Sequence, residues 1–296
     1  MSRDQAPEVL AQPLGHPEGP DFLPDGGLVF VEADSGRLCV WYPGQPVATF
    51  ASCGGSPYGC AVGSDGQVYI TQSGRAPGVR LAPRPVPASV QRASADGALV
   101  EVLCTEVAGI QLNAPNDLAW GADGRLYFTD SGRWHPDDPT EPGYVFALGS
   151  DGRAEVVLDL GPVFPNGIAA EPDGSIVWLE SYTRRVGRRH ADGRTEIIAT
   201  LPEGHTPEGV DRAADGNLWI SNFEAGGIDV LAPDGTIVEC LQLGGVPCNN
   251  RLHDGYLYVT DFGHAVPGDD EAPRSGRLIR VPVSAQEQQP IRGALP

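Results

Sequence analysis

Six short segments of the chain place one variable residue directly after a proline, and most of these residues could bind a cation. In chain order they are Glu18, Tyr58, Asn116, Asn166, Glu208 and Cys248, with Asn249 an alternative to Cys248 because the sixth segment is one residue shorter. Carboxylates and carboxamides supply the oxygen ligands that hard divalent cations prefer. If the fold brings these positions together, they predict a metal site.

The alternative to metal binding is that these residues only form turns, a role for which asparagine is well suited. Glutamate is a poor turn former, and two carboxylates that face one narrow space, as Glu18 and Glu208 would, repel each other. A divalent cation removes that repulsion, so we predict one metal ion per chain. Oxygen ligation favours calcium first and then magnesium or manganese, with zinc as the remaining alternative.

The six segments belong to one internal repeat, which consists of a proline, a variable residue, a short apolar stretch, Asp-Gly and an alternating strand. The aspartates of the six Asp-Gly pairs are Asp25, Asp65, Asp123, Asp173, Asp215 and Asp254. An Asp-Gly pair between two apolar strands is a strong hairpin signal. A second turn follows in most repeats, at Asp96, Asp151, Asp192 and Asp234. Each repeat therefore contains about four strands.

Six repeats of four strands predict an all-β fold, a six-bladed β-propeller that fills the chain as one domain over residues 1–296. We place the core at about residues 8–283 and expect residues 284–296 to be a loose tail. The segment that begins at Glu8 precedes the first blade. It is predicted to add the outer strand of the last blade and so close the ring.

The blade plan also predicts where the variable residues lie. The first strand of a blade is nearest the axis, and the Asp-Gly hairpins share one face of the disk. The Pro-x entries therefore lie on the opposite face, around the mouth of the axial channel. The long loops 72–88, 130–143 and 261–276 extend from that face, where loops commonly carry specificity. The predicted substrate-binding residues are Tyr58, Trp134, His135, Tyr182, Phe223 and His264.

The composition of the chain excludes several classes of binding partner. The net charge is −19, which argues against binding to nucleic acid or to anionic membranes, because phosphate is repelled. Every basic residue is arginine, so Schiff-base chemistry by lysine is excluded. The N-terminal sequence shows no apolar signal core, and six cysteines without a C-x-x-C pair are expected to be reduced and buried. We expect a cytoplasmic protein that acts on a small molecule.

One stretch carries a family resemblance. The sequence Asn113-Ala-Pro-Asn-Asp-Leu-Ala-Trp-Gly-Ala-Asp-Gly-Arg-Leu-Tyr-Phe-Thr-Asp130 resembles the gluconolactonase, regucalcin (senescence marker protein) and luciferin-regenerating family, as do Phe164–Ile168 and Glu18–Pro20. The resemblance implies a six-bladed propeller with one axial metal, often calcium, and hydrolysis of lactones. It implies that Glu18, Asn166 and Asn116 contact the metal or the substrate.

Two departures from the family pattern affect the expected chemistry. The fourth metal position is normally an aspartate that is both ligand and proposed general base, and here it is Glu208. An arginine that many sugar-lactonase relatives carry just before the Asn-x-Pro-Asn-Asp motif is absent, with Gln111 in that neighbourhood. The resemblance therefore implies a substrate other than an aldonolactone.

Three functions remain open at this point. The first is a metal-dependent hydrolase of a lactone or related cyclic ester, with Glu208 and Asn116 as catalytic residues and Glu18, Asn166, Glu208 and Asn116 as metal ligands. The second is a non-hydrolytic enzyme on the same scaffold, an isomerase or cyclase of metabolite biosynthesis. The third is a binding propeller without chemistry, which would not need carboxylates on the axis. His16 and His205 are close enough in sequence to Glu18 and Glu208 to reach the channel mouth.

Overall fold

A computed structural model describes residues 6–74, 85–263 and 275–296. Within these residues every regular element is a β-strand and no helix occurs. Six four-stranded antiparallel sheets form a ring, in which the inner strand of each sheet packs against the inner strands of its neighbours and the first packs against the sixth. The predicted six-bladed β-propeller is confirmed.

The two strands nearest the axis follow the repeat. The inner strands are Pro17–Phe22, Pro57–Val62, Pro115–Trp120, Pro165–Ala170, Pro207–Arg212 and Pro247–His253. The second strands are Leu28–Glu32, Val68–Gln72, Leu126–Asp130, Ile176–Glu180, Leu218–Asn222 and Tyr256–Asp261. Each proline of the repeat thus begins an inner strand. A proline fits there because the first residue of a strand need not donate a ladder hydrogen bond.

The third and fourth strands complete each blade toward the rim. The third strands are Arg37–Trp41, Ser89–Ala93, Gly143–Leu148, Arg185–Arg189, Gly227–Leu231 and Gly276–Pro282. The outer strands are Ala48–Ser52, Val100–Cys104, Ala154–Gly161, Thr195–Thr200, Ile237–Gln242 and, for the last blade, Glu8–Leu14. The N-terminal strand therefore closes the ring as predicted.

Local sequence explains both the hairpins and the core. In the first hairpin the Asp25 carboxylate accepts a hydrogen bond from the Gly27 amide at 3.0 Å, and Gly26 adopts a φ of 88° that favours glycine. Each second strand is covered on both faces by the neighbouring blades, so the second strands are almost wholly buried. Six apolar clusters result among the described residues, one at each interface between blades.

Two features of the fold differ from the expectation or add to it. An additional hairpin of Glu106–Val107 and Ile110–Gln111 lies between the second and third blades, where the interval between Asp-Gly pairs is longest. Residues 284–296 are not loose, and that expectation was wrong. Leu295 is buried in the cluster between blades two and three, and Arg292 reaches Asp21 of the first blade at 2.9 Å.

The cysteines follow the expectation in part. All six lie in the described part of the chain as thiols rather than disulfides, and four of them are buried. Cys240 is exposed and Cys104 is only partly buried, because both lie on outer strands, which have solvent on one side. Within the part of the chain that the structure describes, no helix is long and apolar enough to cross a membrane.

Candidate metal centre and active site

The inner strands approach each other closely at the axis, and this brings the variable residues together. A Cβ atom on Gly59 would lie 2.7 Å from the carbonyl oxygen of Asn116 on the next blade, so only glycine fits there. The hydroxyl of Thr129 donates to the carbonyl of Asn166 at 2.7 Å, and Thr71 does the same to the carbonyl of Asn116. These bonds fix the backbone on which the site residues stand.

Blades six and one contribute one half of the site. Nε2 of His16 lies 3.3 Å from Oε1 of Glu18, and the ligand atoms of His16, Glu18 and Cys248 all lie within 4.8 Å of one another. The Cys248 thiol donates to the Val246 carbonyl at 3.6 Å and lies beside the Glu18 carboxylate. Burial raises the pKa of Glu18 to about 8, because the ionised carboxylate loses its hydration.

Blades four and five contribute the other half. Nδ2 of Asn166 donates to Oε2 of Glu208 at 2.8 Å and lies 3.1 Å from the hydroxyl of Ser181. That hydroxyl donates to the carbonyl of Pro207 at 2.7 Å, so Ser181 orients Asn166 and secures the entry to the next blade. Burial and then the facing charge of Glu18 raise the pKa of Glu208 well above its ordinary value. The two halves therefore converge on one small volume.

The donor set of this volume fits a divalent cation. Glu18 and Asn166 are buried, whereas Glu208 and Asn116 are partly exposed to the channel mouth. Two carboxylates that are desolvated and face each other are costly as a pair of anions, and a cation between them offsets both the desolvation and the repulsion. Asn166 would present its carboxamide oxygen after a rotation of the amide. The residues present are thus suited to a metal ion.

A second layer of polar residues lies below the mouth and contains one of the two candidates from the sixth segment. The Asp117 carboxylate accepts hydrogen bonds from the Leu118 amide at 2.9 Å and the Ile168 amide at 3.3 Å. Burial raises the pKa of Asp117 to about 7, and Asn249 is one of its hydrogen-bonding partners. Asn249 therefore lies in this lower layer, and Cys248 occupies the position around the mouth.

Three predicted substrate-binding residues come together beside the channel mouth, between blades three and four. The rings of Trp134 and Tyr182 are 5.0 Å apart, and the Tyr182 hydroxyl accepts a hydrogen bond from the His135 amide at 2.6 Å. Phe164 joins them, with its ring 4.8 Å from Trp134 and 5.2 Å from Tyr182. We call Phe164, Trp134 and Tyr182 the aromatic wall.

The remaining predicted substrate-binding residues lie on the other side of the mouth or outside the described chain. The ring of Tyr58 is 5.3 Å from His16, so Tyr58 borders the candidate metal centre. Phe262 packs against the other side of His16 at 3.9 Å, and Phe223 is 6.1 Å from Phe262. His264 lies outside the described residues. The ligand and substrate roles assigned from the sequence stay predictions.

Sequence reasoning missed Phe164 and Phe262, although a signal was present. Phe164 is the residue before a repeat proline, as His16 is, and this position faces the mouth. Phe262 and Phe223 follow their second strands directly, where three other blades carry serine (Ser73, Ser131 and Ser181). His205, a candidate for the mouth, instead lies 2.8 Å from the buried carboxylate of Asp229.

A comparison with known families identifies the family of this chain. The family model described as the SMP-30/gluconolactonase/LRE-like region matches residues 16–260, which is more than half of the chain. The protein is a member of that family. The resemblance inferred from the Asn113–Asp130 stretch is therefore confirmed.

Individual family members are more distant in sequence. A gluconolactonase of Zymomonas mobilis is 29% identical over 271 residues, which cover 80% of this chain and 71% of that protein. Regucalcin from Agrobacterium tumefaciens, described as a calcium-binding protein, has a TM-score of 0.79 at 18% identity and covers 98% of both chains. A luciferin-regenerating enzyme has a TM-score of 0.79 at 17% identity and covers 98% of this chain and all of its own. At these identities the two solved structures establish the fold.

Proposed function

We propose that this protein is a metal-dependent hydrolase of a lactone or related cyclic ester. The observation that carries the proposal is the convergence of two desolvated carboxylates, Glu18 and Glu208, with Asn166 at one mouth of the channel. At the level of the family, the similarity to a gluconolactonase supports lactone hydrolysis. The calcium-binding description of the regucalcin neighbour supports a divalent cation.

In this proposal four residues hold the cation and orient the substrate. Glu18, Asn166 and Glu208 are the ligands, and Asn116 contacts the metal and positions the substrate from the neighbouring blade. A divalent cation, when bound, supplies polarisation of the lactone carbonyl and stabilises the developing negative charge. Ser181 keeps the Asn166 side chain oriented through its 3.1 Å contact, so that the ligand geometry is formed in advance.

Glu208 is the residue that moves the proton. Its carboxylate accepts a proton from the attacking water as the water oxygen bonds to the carbonyl carbon. The ester carbon–oxygen bond then breaks, and the proton passes to the leaving alkoxide, which becomes the hydroxyl of the ring-opened hydroxy acid. The site favours this role because the Asn166 carboxamide, 2.8 Å from Oε2, holds the Glu208 carboxylate in position at the channel mouth.

The walls of the mouth indicate the kind of lactone. The aromatic wall and the rings of Tyr58 and Phe262 present apolar surface on both sides of the candidate centre. Gln111 lies in the additional hairpin, is exposed and bonds to Glu106 at 2.6 Å, so it does not replace the arginine found in sugar-lactonase relatives. We therefore propose a lactone with an apolar substituent rather than an aldonolactone.

A lactone panel with controlled metal content tests this function. The purified protein is stripped with a chelator, reloaded with single divalent cations, and assayed for acid release from alkyl, aryl and sugar lactones. We expect turnover only in the metal-loaded protein, with apolar lactones preferred, and incorporation of one oxygen from labelled water into the product. Metal-loaded protein that hydrolyses none of the lactones contradicts the proposal. A product without label points to the isomerase or cyclase alternative.

A further inference from the structure

We infer that the metal centre is built for a thiophilic cation, zinc, which Cys248 and His16 bind together with the carboxylate of Glu18. This inference deepens the proposed function and rests on its metal centre. The expectation of calcium assumed that all ligands are oxygen atoms. The structure instead places a thiol and an imidazole within 4.8 Å of the Glu18 carboxylate and of each other.

The chemistry of these donors distinguishes zinc from calcium. Calcium takes carboxylate, carbonyl and water oxygens, whereas thiolate and imidazole are typical zinc ligands. Nε2 of His16 and Oε1 of Glu18 are 3.3 Å apart. Two ligands on one tetrahedral zinc ion are separated by roughly this distance, because zinc–nitrogen and zinc–oxygen bonds are about 2.0–2.2 Å. One sulfur, one nitrogen and one carboxylate ligand leave a position for water or substrate, as catalytic zinc sites require. With zinc bound in this way, Asn166 and Glu208 face the water and the substrate instead of serving as ligands.

The surroundings hold these donors in place. The His16 ring lies between Tyr58 and Phe262, at ring distances of 5.3 and 3.9 Å, and this packing restricts its rotation. Cys248 is 1% exposed, its thiol donates to the Val246 carbonyl at 3.6 Å, and its sulfur lies within 4.8 Å of the Glu18 carboxylate. The three donor atoms of His16, Glu18 and Cys248 therefore surround one point, and Glu208 lies outside this cluster. Cys248 is the one cysteine that follows a repeat proline.

Metal titrations of three variants test the inference. Cys248→Ser removes the sulfur ligand, His16→Gln removes the imidazole, and Cys104→Ser is the matched control on an outer strand. Zinc and calcium affinities are measured by competition with a chromophoric chelator, and cobalt-loaded protein is examined for the near-ultraviolet thiolate-to-cobalt charge-transfer band. We expect the parent and the control to prefer zinc and to show the band.

Each variant has its own expected result. Cys248→Ser should lose the band and at least about tenfold in zinc affinity, with calcium affinity unchanged. His16→Gln should also lose zinc affinity but keep the band, which tests the inference even if the serine variant does not fold. Absence of the band in the parent, or equal zinc affinity in the parent and both variants, overturns it. Zinc bound through Cys248 without turnover of any lactone would instead contradict the proposed function alone.

Discussion

Glu208 stands where the family resemblance places an aspartate, and its surroundings determine what the longer side chain can do. Its Oε2 atom accepts a hydrogen bond from the Asn166 carboxamide, and its charge faces Glu18 across the channel mouth. The sequence predicted this residue and Glu18 correctly as neighbours of the axis, because the repeat register alone assigns them to one column. It could not separate Cys248 from Asn249, because a one-residue deletion shifts the register and only the tertiary contacts of Asn249 with Asp117 decide.

Replacing Glu208 by glutamine tests whether it is both a ligand and a base. The change keeps the size and an oxygen donor but removes the charge and the basicity. We expect metal affinity to fall and turnover at saturating metal to fall by about 10²–10⁴-fold, the range associated with general bases. Affinity is measured by titration, and turnover is measured on the best lactone of the panel.

The matched control for this variant is Glu208→Asp, which keeps the charge and restores the usual family residue. It should retain the metal and substantial activity. Parental turnover in fully loaded Glu208→Gln would show that Glu208 is a ligand only. The base would then have to be sought among His16, Asp117 or a bound water.

The unusual backbone conformation of Phe164 allows a substitution that removes its ring from the aromatic wall without disturbing the backbone. Phe164 has a φ of 53°, a left-handed conformation that bulky residues rarely adopt and asparagine tolerates. Phe164→Asn should therefore keep the fold while removing the ring. We expect KM for an apolar lactone to rise by about tenfold with kcat little changed, measured by steady-state kinetics. An unchanged KM would remove the wall from substrate binding.

At the scale of the strands, the loops around the channel mouth depend on one polar residue at the end of each second strand. These residues are Glu32, Gln72, Asp130, Glu180, Asn222 and Asp261, and all are buried. Most of them bond to the segment that leads into a repeat proline or to the turn that follows. The sequence predicted the strands well, because Asp-Gly and proline are local signals. It did not predict the role of these six residues, because a polar residue at a strand end can be recognised as a hydrogen-bond acceptor only when its amide partners are known.

Asp130 provides the test at this scale. Its carboxylate accepts hydrogen bonds from the amides of Asn113 and Ala114 at 2.9 and 2.7 Å, just before the inner strand that carries Asn116. Asp130→Ala should lower the free energy of unfolding by about 1–3 kcal/mol for each amide left without an acceptor. Urea unfolding measures the loss. The exposed control Asp137→Ala should stay within about 0.5 kcal/mol of the parent, and an equally small effect at Asp130 would contradict this role.

At the scale of the whole molecule, the chain closes the propeller twice. Glu8–Leu14 closes the ring at the rim, and residues 284–296 cross the face that carries the Asp-Gly hairpins. Gln288, Pro290 and Ile291 line the cavity at the base of the channel. The first closure was predictable, because the sixth repeat lacks an outer strand of its own and Glu8–Leu14 precedes the first blade. The second was not, because the tail is polar in sequence and its anchors Asp21 and Tyr69 are more than 200 positions away.

The tail should stabilise the protein, and Arg292 is the residue that shows it. Its guanidinium donates to Asp21 at 2.9 Å and to the carbonyls of Val62 and Phe22. Burial alone would raise the pKa of Asp21, but Arg251 and Arg292 hold it below its ordinary value. The stability gained from this pair is therefore present above the unfolded-state pKa of about 3.9 and is lost as the pH falls toward the lower folded-state pKa.

Arg292→Met keeps the length and the apolar stem of the side chain but removes these bonds. It should cost about 1.5–3 kcal/mol at pH 7, the range for hydrogen bonds to charged groups. The difference from the parent should shrink as the pH is lowered, because Asp21 becomes protonated in both proteins. Urea unfolding at a series of pH values measures it, with the exposed Arg153→Met as control. A difference that stays constant down to pH 3, or none at pH 7, would show that the tail lies on the channel base without holding it closed.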